Sequence, residues 1–354
     1  MLVGQVPVVT INDLPDDVLL GIFNLYVVEY QYPGFIDFGT KREIESWQSL
    51  VHVCRRWRGL VFASPRRLNL RLCTSTTVSL DVWPPLPLLI QGGVYGSSAD
   101  NVLAELEHSD RIRQIQINFD GYTTWEIEKL WTAMQVPFPE LASLDLSSND
   151  LSNVPVFPDS FFGGSASHLR YFTLFSIPFP GIPKLLISAA HLVRLSLMNI
   201  PYSGYISPEA MATCLSALTS LEFLQLGFES PQSCPDLESQ RPFPPNRFIL
   251  PTLTKFWFKG VNEYLEEFVA RLDAPQVYVI SITLFNDIHF DTPELIQFMS
   301  RTPLLGVYHE ADLIFRSREA LVTLLPQRPQ PEPSNNRVVK SESYAKCQIG
   351  YFHP

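Results

Sequence analysis

Residues Leu141–Leu151 read LASLDLSSNDL. Leucines stand at 141, 144 and 146, and from Ser143 to Ser147 polar and apolar residues alternate. Alternation at period two sends successive side chains to opposite faces of a β-strand. Six more stretches carry the same apolar–x–x–apolar–x–apolar spacing. They are Ile112/Ile115/Ile117, Leu169/Phe172/Leu174, Leu192/Leu195/Leu197, Leu221/Leu224/Leu226, Leu253/Phe256/Phe258 and Val277/Ile280/Ile282. In chain order the last positions of all seven step by 29, 28, 23, 29, 32 and 24 residues. Units of this length cannot bury their own apolar face and must stack on one another. Between them lie helical candidates at Asn101–His108, Thr124–Met134, Pro208–Leu218 and Asn262–Leu272.

Leu141–Leu151 resembles the leucine-rich-repeat consensus, with Asn149 where that repeat uses asparagine to bond neighbouring backbone. The resemblance implies an irregular solenoid over residues 67–325, α/β in class, with parallel strands and helical or loop connectors. A doubly wound α/β sheet would also have apolar strands, but no glycine-rich phosphate loop follows any of the seven. In each strand the second and third apolar residues point to the core, so the residues flanking them form the concave face. That row begins small and polar, then gains Tyr171, Phe175, Arg194, Met198, Phe223, Lys255 and Trp257. Aromatic and arginine side chains dominate binding hot spots, so these seven are the candidate substrate-binding residues. An aromatic stripe edged with cations suits a peptide with apolar anchors and some acidic groups. Loops folded over the face, or a one-residue slip of register, would bury the stripe instead.

Composition narrows the function classes. The chain has 354 residues, 46% apolar and 12% aromatic, which does not fit a solvated coil. Its 30 prolines punctuate many short elements. Net charge is −10, and the one basic stretch is residues 41–71, with eight bases against two acids. A nucleic-acid-binding body needs a basic face to neutralise phosphates, so nucleic acid is not an expected partner. No apolar run approaches ~18 residues, so no membrane span is expected. Five cysteines without a CxxC pair, no Asn-x-Ser/Thr sequon and no basic leader point to an intracellular protein, in cytoplasm or nucleus.

Chemistry is sparse. The seven histidines form no metal-spaced pair, and no GxSxG, Walker A or GxGxxG motif occurs. Asp287, His289 and Asp291 read as a solvated turn rather than a metal cluster. Cys54 sits beside three arginines but on an apolar helix position, which favours an inert thiol. No catalytic residue, metal or cofactor is expected; a hydrolase on an atypical α/β fold is the outlying possibility.

Residues 12–64 read as helical. Pro15 suits a first helical position, and Asp16 and Asp17 suit the positive end of the dipole. Val18, Leu19, Ile22, Phe23 and Tyr26 make an apolar stripe. Pro33, Gly34 and Gly39 break the helix, and Thr40 to Glu43 fits a capping box. A second helix then carries Trp47, Leu50, Val53, Cys54, Trp57 and Leu60 on one side. Residues 326–354 begin as a Pro/Gln/Ser tract and read as a flexible tail.

Two segments of this region, Leu14–Phe23 (LPDDVLLGIF) and Leu50–Arg58 (LVHVCRRWR), resemble an F-box over residues 10–66. The pairing with irregular repeats is similar to F-box proteins abundant in fungi. Here the segment between Phe23 and Trp47 is longer than the family's, and Asp17 stands where the family has Glu. The resemblance implies docking on a Skp-type adaptor, and through it a cullin, by Leu14, Pro15, Val18, Leu19, Ile22, Phe23, Leu50, Val53 and Trp57. The chain would then be the substrate-recognition subunit of a cullin-type ubiquitin ligase, with the repeats holding an unknown protein substrate. The residues alone agree with docking, because about 50 residues are few to enclose so many large apolar side chains. They leave open a cap on the first repeat, and a repeat scaffold that works without any ligase.

Overall fold

Helix α1 (Asp16–Val27) starts one residue after Pro15, whose carbonyl accepts the Leu19 N–H. The computed structural model describes residues 10–27, 46–65, 68, 70, 72–73, 84–93, 98–149, 156–157, 161–234, 247–285, 292–305, 310–316, 319–325 and 346–352. The capping box expected at Thr40–Glu43 and the Asp287/His289/Asp291 cluster lie outside them. The chain divides into two compact units, residues 1–90 and 91–354.

In the first unit, α1 buries Leu19, Leu20, Phe23 and Val27. The single helix expected over Trp47–Leu60 is two, α2 (Ser46–Val51) and α3 (Arg55–Ala63). Cys54 between them is extended, at φ −159° and ψ 170°. The break is held by Arg58, whose Nε donates to the Val51 carbonyl at 3.0 Å and satisfies an end of α2 that the helix cannot. Trp47 and Val61 are buried, and Phe23 packs on Trp57 with ring centroids 4.7 Å apart. Two short strands, β1 (Leu72–Cys73) and β2 (Leu88–Gly92), pair in parallel.

The second unit is mixed α/β. Its strands are β3 (Ile112–Asn118), β4 (Ser143–Ser147), β5 (Tyr171–Phe175), β6 (Arg194–Ile200), β7 (Phe223–Phe228), β9 (Lys255–Gly260), β11 (Val279–Leu284) and β14 (Lys346–Phe352). These eight are parallel and lie side by side in chain order. A hairpin of β12 (Glu310–Arg316) and β13 (Glu319–Leu325) adds antiparallel strands beside β14. A separate parallel pair joins β8 (Phe248–Ile249) to β10 (Leu272–Asp273). The stretch expected to be a flexible tail therefore contains a strand. Pairing with β11 and β13 satisfies its backbone groups, a long-range effect that the Pro/Gln-rich lead-in conceals.

The seven apolar triplets fall in one register. Ile115, Leu144, Phe172, Leu195, Leu224, Phe256 and Ile280 are aligned across the sheet, as are Ile117, Leu146, Leu174, Leu197, Leu226, Phe258 and Ile282. All fourteen are buried. Helices α4 (Ala99–Leu106), α5 (Thr124–Ala133), α6 (Ile182–Ser188), α7 (Pro208–Leu215), α8 (Asn262–Ala270) and α9 (Pro293–Arg301) connect the strands. Phe268 of α8 lies 5.9 Å from Phe256, and Tyr264 lies 5.9 Å from Phe258, ring to ring, which shows how the helices close the core.

Local chemistry sets the helix starts. Thr123 and Glu126 form a reciprocal capping box on α5. Ser207 caps α7 ahead of Pro208. On α9 the cap comes from α8, with the Glu266 carboxylate accepting the Glu294 and Leu295 N–H groups at 2.8 and 3.0 Å. Among the described residues, Asn149 bonds a side chain, where the consensus leads one to expect neighbouring backbone. It is exposed, and both its N–H and its side-chain amide donate to the Asp120 carboxylate, which ties the ends of β4 and β3.

The connector before β5 is not a simple loop. Phe157, Phe161, Phe162, Phe179, Trp131 and Phe119 form one cluster with centroid spacings of 3.9–5.7 Å. Phe162 is held at φ +54°, a left-handed conformation that a bulky residue rarely adopts, and its N–H donates to the Met134 carbonyl. Asn199 at φ +56° marks the irregularity where β6 loses register with β7, and its amide donates to Ser176 at 2.7 Å.

Candidate functional site

The polar flanks of the apolar positions form two rows on one face of the sheet. One aligns Gln114, Ser143, Tyr171, Arg194, Phe223, Lys255 and Val279, and the other Gln116, Asp145, Thr173, Ser196, Gln225, Trp257 and Ser281. The register puts Arg194 beside Phe223, and Phe223 diagonal to Trp257. The Arg194 guanidinium stands over the Phe223 ring at 4.1 Å, a cation–π contact. Phe223 meets Trp257 edge to face at 5.2 Å. Ser196 donates to Gln225 at 2.8 Å. Trp257 is 39% exposed and Lys255 beside it is exposed.

Among the seven expected substrate-binding residues, Tyr171, Phe175, Arg194 and Met198 are half-buried and Lys255 and Trp257 are exposed. Phe223 is the exception at 9%. It is sandwiched between Arg194 and Trp257, so it supports the surface rather than forming it. The aromatic stripe ends at Lys259, whose ammonium lies 5.4 Å from the Phe285 ring.

Asp145 belongs with these residues, although its sequence context marks only an acid between two buried leucines. Burial pushes its carboxyl up to about 6, while the Arg194 charge pulls it down. Burial lowers the Arg194 guanidinium in turn, and the charges of Asp145 and Tyr171 raise it. The folded carboxyl thus protonates above the ~3.9 of an unfolded aspartate. The folded state holds the extra proton between pH 4 and 6, so stability falls as pH rises through that window, and the full cost is present above it. Asp145→Asn is expected to raise the unfolding free energy at pH 7 by about 1 kcal/mol after allowance for partial exposure, and with it the thermal midpoint. The gain should vanish near pH 4 in a pH series of thermal melts.

The first unit carries a second surface. On α1 the interior takes one stripe, and Val18, Ile22, Leu25 and Tyr26 form another, three and four residues apart, that is exposed. Val18 is 43% and Ile22 41% exposed, and Val53 in the break between α2 and α3 is 58% exposed. Pro15 is exposed, and Leu14 and Trp57 are half-buried. Leu19, Phe23 and Leu50, expected on the docking surface, are interior. Three short helices bury these three side chains by packing on one another, more than their size led us to expect. The Trp57 indole N–H is buried with no acceptor among the described residues.

Arg56 joins the two motifs of this unit. Its guanidinium donates to the Leu14 carbonyl and to the Asp16 carboxylate, each at 2.6 Å, across about 40 residues of chain. This clasp was not legible from spacing. Arg56→Ala is expected to loosen the start of α1 and to cost under ~1 kcal/mol, because the pair is open to solvent. Faster amide exchange at Leu19, whose N–H bonds Pro15, would report it.

Among the described residues, no group of three or more His, Cys, Asp or Glu could hold a metal ion, and no helix is long and apolar enough to cross a membrane. Cys214 and Cys234 are buried free thiols, and burial raises both, Cys234 to about 12. Compared with known proteins, the chain matches no family model and no curated protein.

Proposed function

We propose that the chain is the substrate-recognition subunit of a cullin-type ubiquitin ligase. In this reading residues 10–66 are an F-box that docks on a Skp-type adaptor. Residues 67–325 are an irregular leucine-rich-repeat solenoid that presents a protein substrate. The chain contributes position, by raising the substrate's effective concentration near the ubiquitin donor, and carries out no chemistry itself.

The observation that carries the reading is the second apolar stripe of α1. Val18, Ile22, Leu25 and Tyr26 are exposed while Leu19, Leu20, Phe23 and Val27 fill the interior. An apolar stripe that the fold does not consume is the mark of a helix with a partner. The LPDDVL and VCRRWR segments that flank this surface, clasped by Arg56, support an adaptor as that partner. For the repeats, the support is seven LxxLxL segments in one register on consecutive parallel strands.

Size-exclusion chromatography of the full chain mixed with a purified Skp-type adaptor tests the proposal. Co-elution as a one-to-one complex is expected. Separate elution of two folded proteins would remove the ligase and leave a repeat scaffold, which uses the strand face but has no need of the α1 stripe.

A further inference from the structure

Strand β9 reads KFWFKG, and residues two apart in a strand share a face, so Lys255, Trp257 and Lys259 stand in one row. Lys255 and Trp257 are exposed and Lys259 is half-buried, whereas Phe256 and Phe258 between them fill the core. The two sides of this row differ. Toward β7, Trp257 meets Phe223 edge to face at 5.2 Å, and the Arg194 guanidinium covers Phe223 in turn. Toward β11, the residues in register are Val279, Ser281 and Thr283, all short and half-buried. The Lys259 ammonium leans to this side, 5.4 Å from the ring of Phe285, the residue after β11. The result is a step, with a Lys–Trp–Lys wall on β9 above a low floor on β11. The face positions of β6, β7, β9 and β11 hold three cations, Arg194, Lys255 and Lys259, and no acid, in a chain of net charge −10.

We propose that this step binds an extended peptide segment with the spacing acid–x–aromatic–x–acid. The segment lies over β11, with its aromatic ring on the side of Trp257 that Phe223 does not cover and its two carboxylates on Lys255 and Lys259. The inference rests on the strand face being the substrate surface, and it adds the spacing by which a substrate is chosen there.

The spacing follows from strand geometry. An extended ligand rises ~3.3 Å per residue, as β9 does, so its positions i, i+2 and i+4 stay level with Lys255, Trp257 and Lys259 over ~13 Å. The same three positions share one face of the ligand, which turns to the wall. Acids directly adjacent to the aromatic point to the opposite face and reach neither lysine. The spacing reads the same in both directions, so the segment can run either way along the strand. Charge complementarity admits acidic segments and rejects basic ones. Each exposed ion pair contributes roughly threefold in affinity, so the two together contribute about tenfold.

The test uses the full chain and three fluorescein-labelled peptides that differ only at their centres: Glu-Ser-Trp-Ser-Glu, Ser-Glu-Trp-Glu-Ser and Gln-Ser-Trp-Ser-Gln. Fluorescence anisotropy is expected to show the first binding about tenfold tighter than either of the others, a preference that shrinks at ~1 M salt, where screening acts within about 3 Å. The double change Lys255→Gln/Lys259→Gln should abolish the preference. Trp257→Ala should weaken all three peptides by about fivefold or more. Ser281→Tyr, which fills the floor beside Trp257, should block all three. Circular dichroism confirms that each variant is folded. Overturning results are no saturable binding of the first peptide, equal binding of the two acidic peptides, a preference that survives the double lysine change, or binding unaffected by Ser281→Tyr. Adaptor co-elution of the same preparations separates this proposal from the ligase reading, because the peptide result does not depend on α1 and the adaptor result does not depend on β9.

Discussion

Leu224→Ala is expected to lower the unfolding free energy by about 3–4 kcal/mol, among the largest effects of any single truncation in the second unit. Leu224 is fully buried on β7, between Leu195 of β6 and Phe256 of β9 in the same register position. Removing three carbons there forfeits transfer free energy and leaves a cavity that rigid neighbouring strands cannot close. Each strand shares its core with the next, so the loss is felt across the β6–β9 region rather than in one repeat. Gln225, the next residue, points to the opposite face and holds one hydrogen bond to Ser196. Gln225→Ala is therefore expected to cost under ~1 kcal/mol. Urea melts of the two variants check both the size of the first effect and the alternation that separates them.

The second large effect is on association. The double change Val18→Asp/Ile22→Asp is expected to weaken binding of a Skp-type adaptor at least ~100-fold, about 3 kcal/mol, because it buries two carboxylates without partners in an apolar interface. Both side chains are exposed in the chain itself, so the unfolding free energy should stay within ~0.5 kcal/mol of wild type. Leu19→Ala or Phe23→Ala would not serve as a probe. Those residues fill the interior of the helical unit, and any loss of binding would be confounded with loss of fold. Isothermal titration calorimetry alongside thermal melts separates the two effects.

How far the sequence could be read differs by element. The seven strands were legible because LxxLxL encodes two buried positions per strand, and a one-residue slip would turn all of them to the wrong face. The four helices named between them are present but end earlier than expected, as with Leu215 for Leu218 and Ala270 for Leu272, since apolar residues continue past the last helical turn into the next strand's approach, whereas α6 and α9 were not among the named candidates. Periodicity could not find the break at Cys54. The apolar spacing runs on through it, and only the Arg58 bond to Val51 and the extended Cys54 backbone end the first segment. The strand at Lys346–Phe352 was missed because its pairing partners lie far away in sequence.

The candidate surfaces were legible in part for the same reason. Position on a strand told which residues flank the core, so Arg194, Lys255 and Trp257 fell on the correct face. It did not tell which of them cover one another, and Phe223 is lost beneath Arg194. Asp145 and Arg194 stand 49 residues apart in the chain, and their relation becomes visible only when β4, β5 and β6 are laid in register. On α1 the stripe Val18, Leu19, Ile22, Phe23 and Tyr26 mixed two faces that only packing separates.

Hydrogen–deuterium exchange of the full chain, with and without a purified Skp-type adaptor, tests the central claim most directly. The account predicts slowed exchange over Asp16–Tyr26 and at His52–Val53 on addition of adaptor, with the strands from β4 to β9 unchanged. No protection in the first unit at saturating adaptor, or protection confined to the strand face, would contradict it.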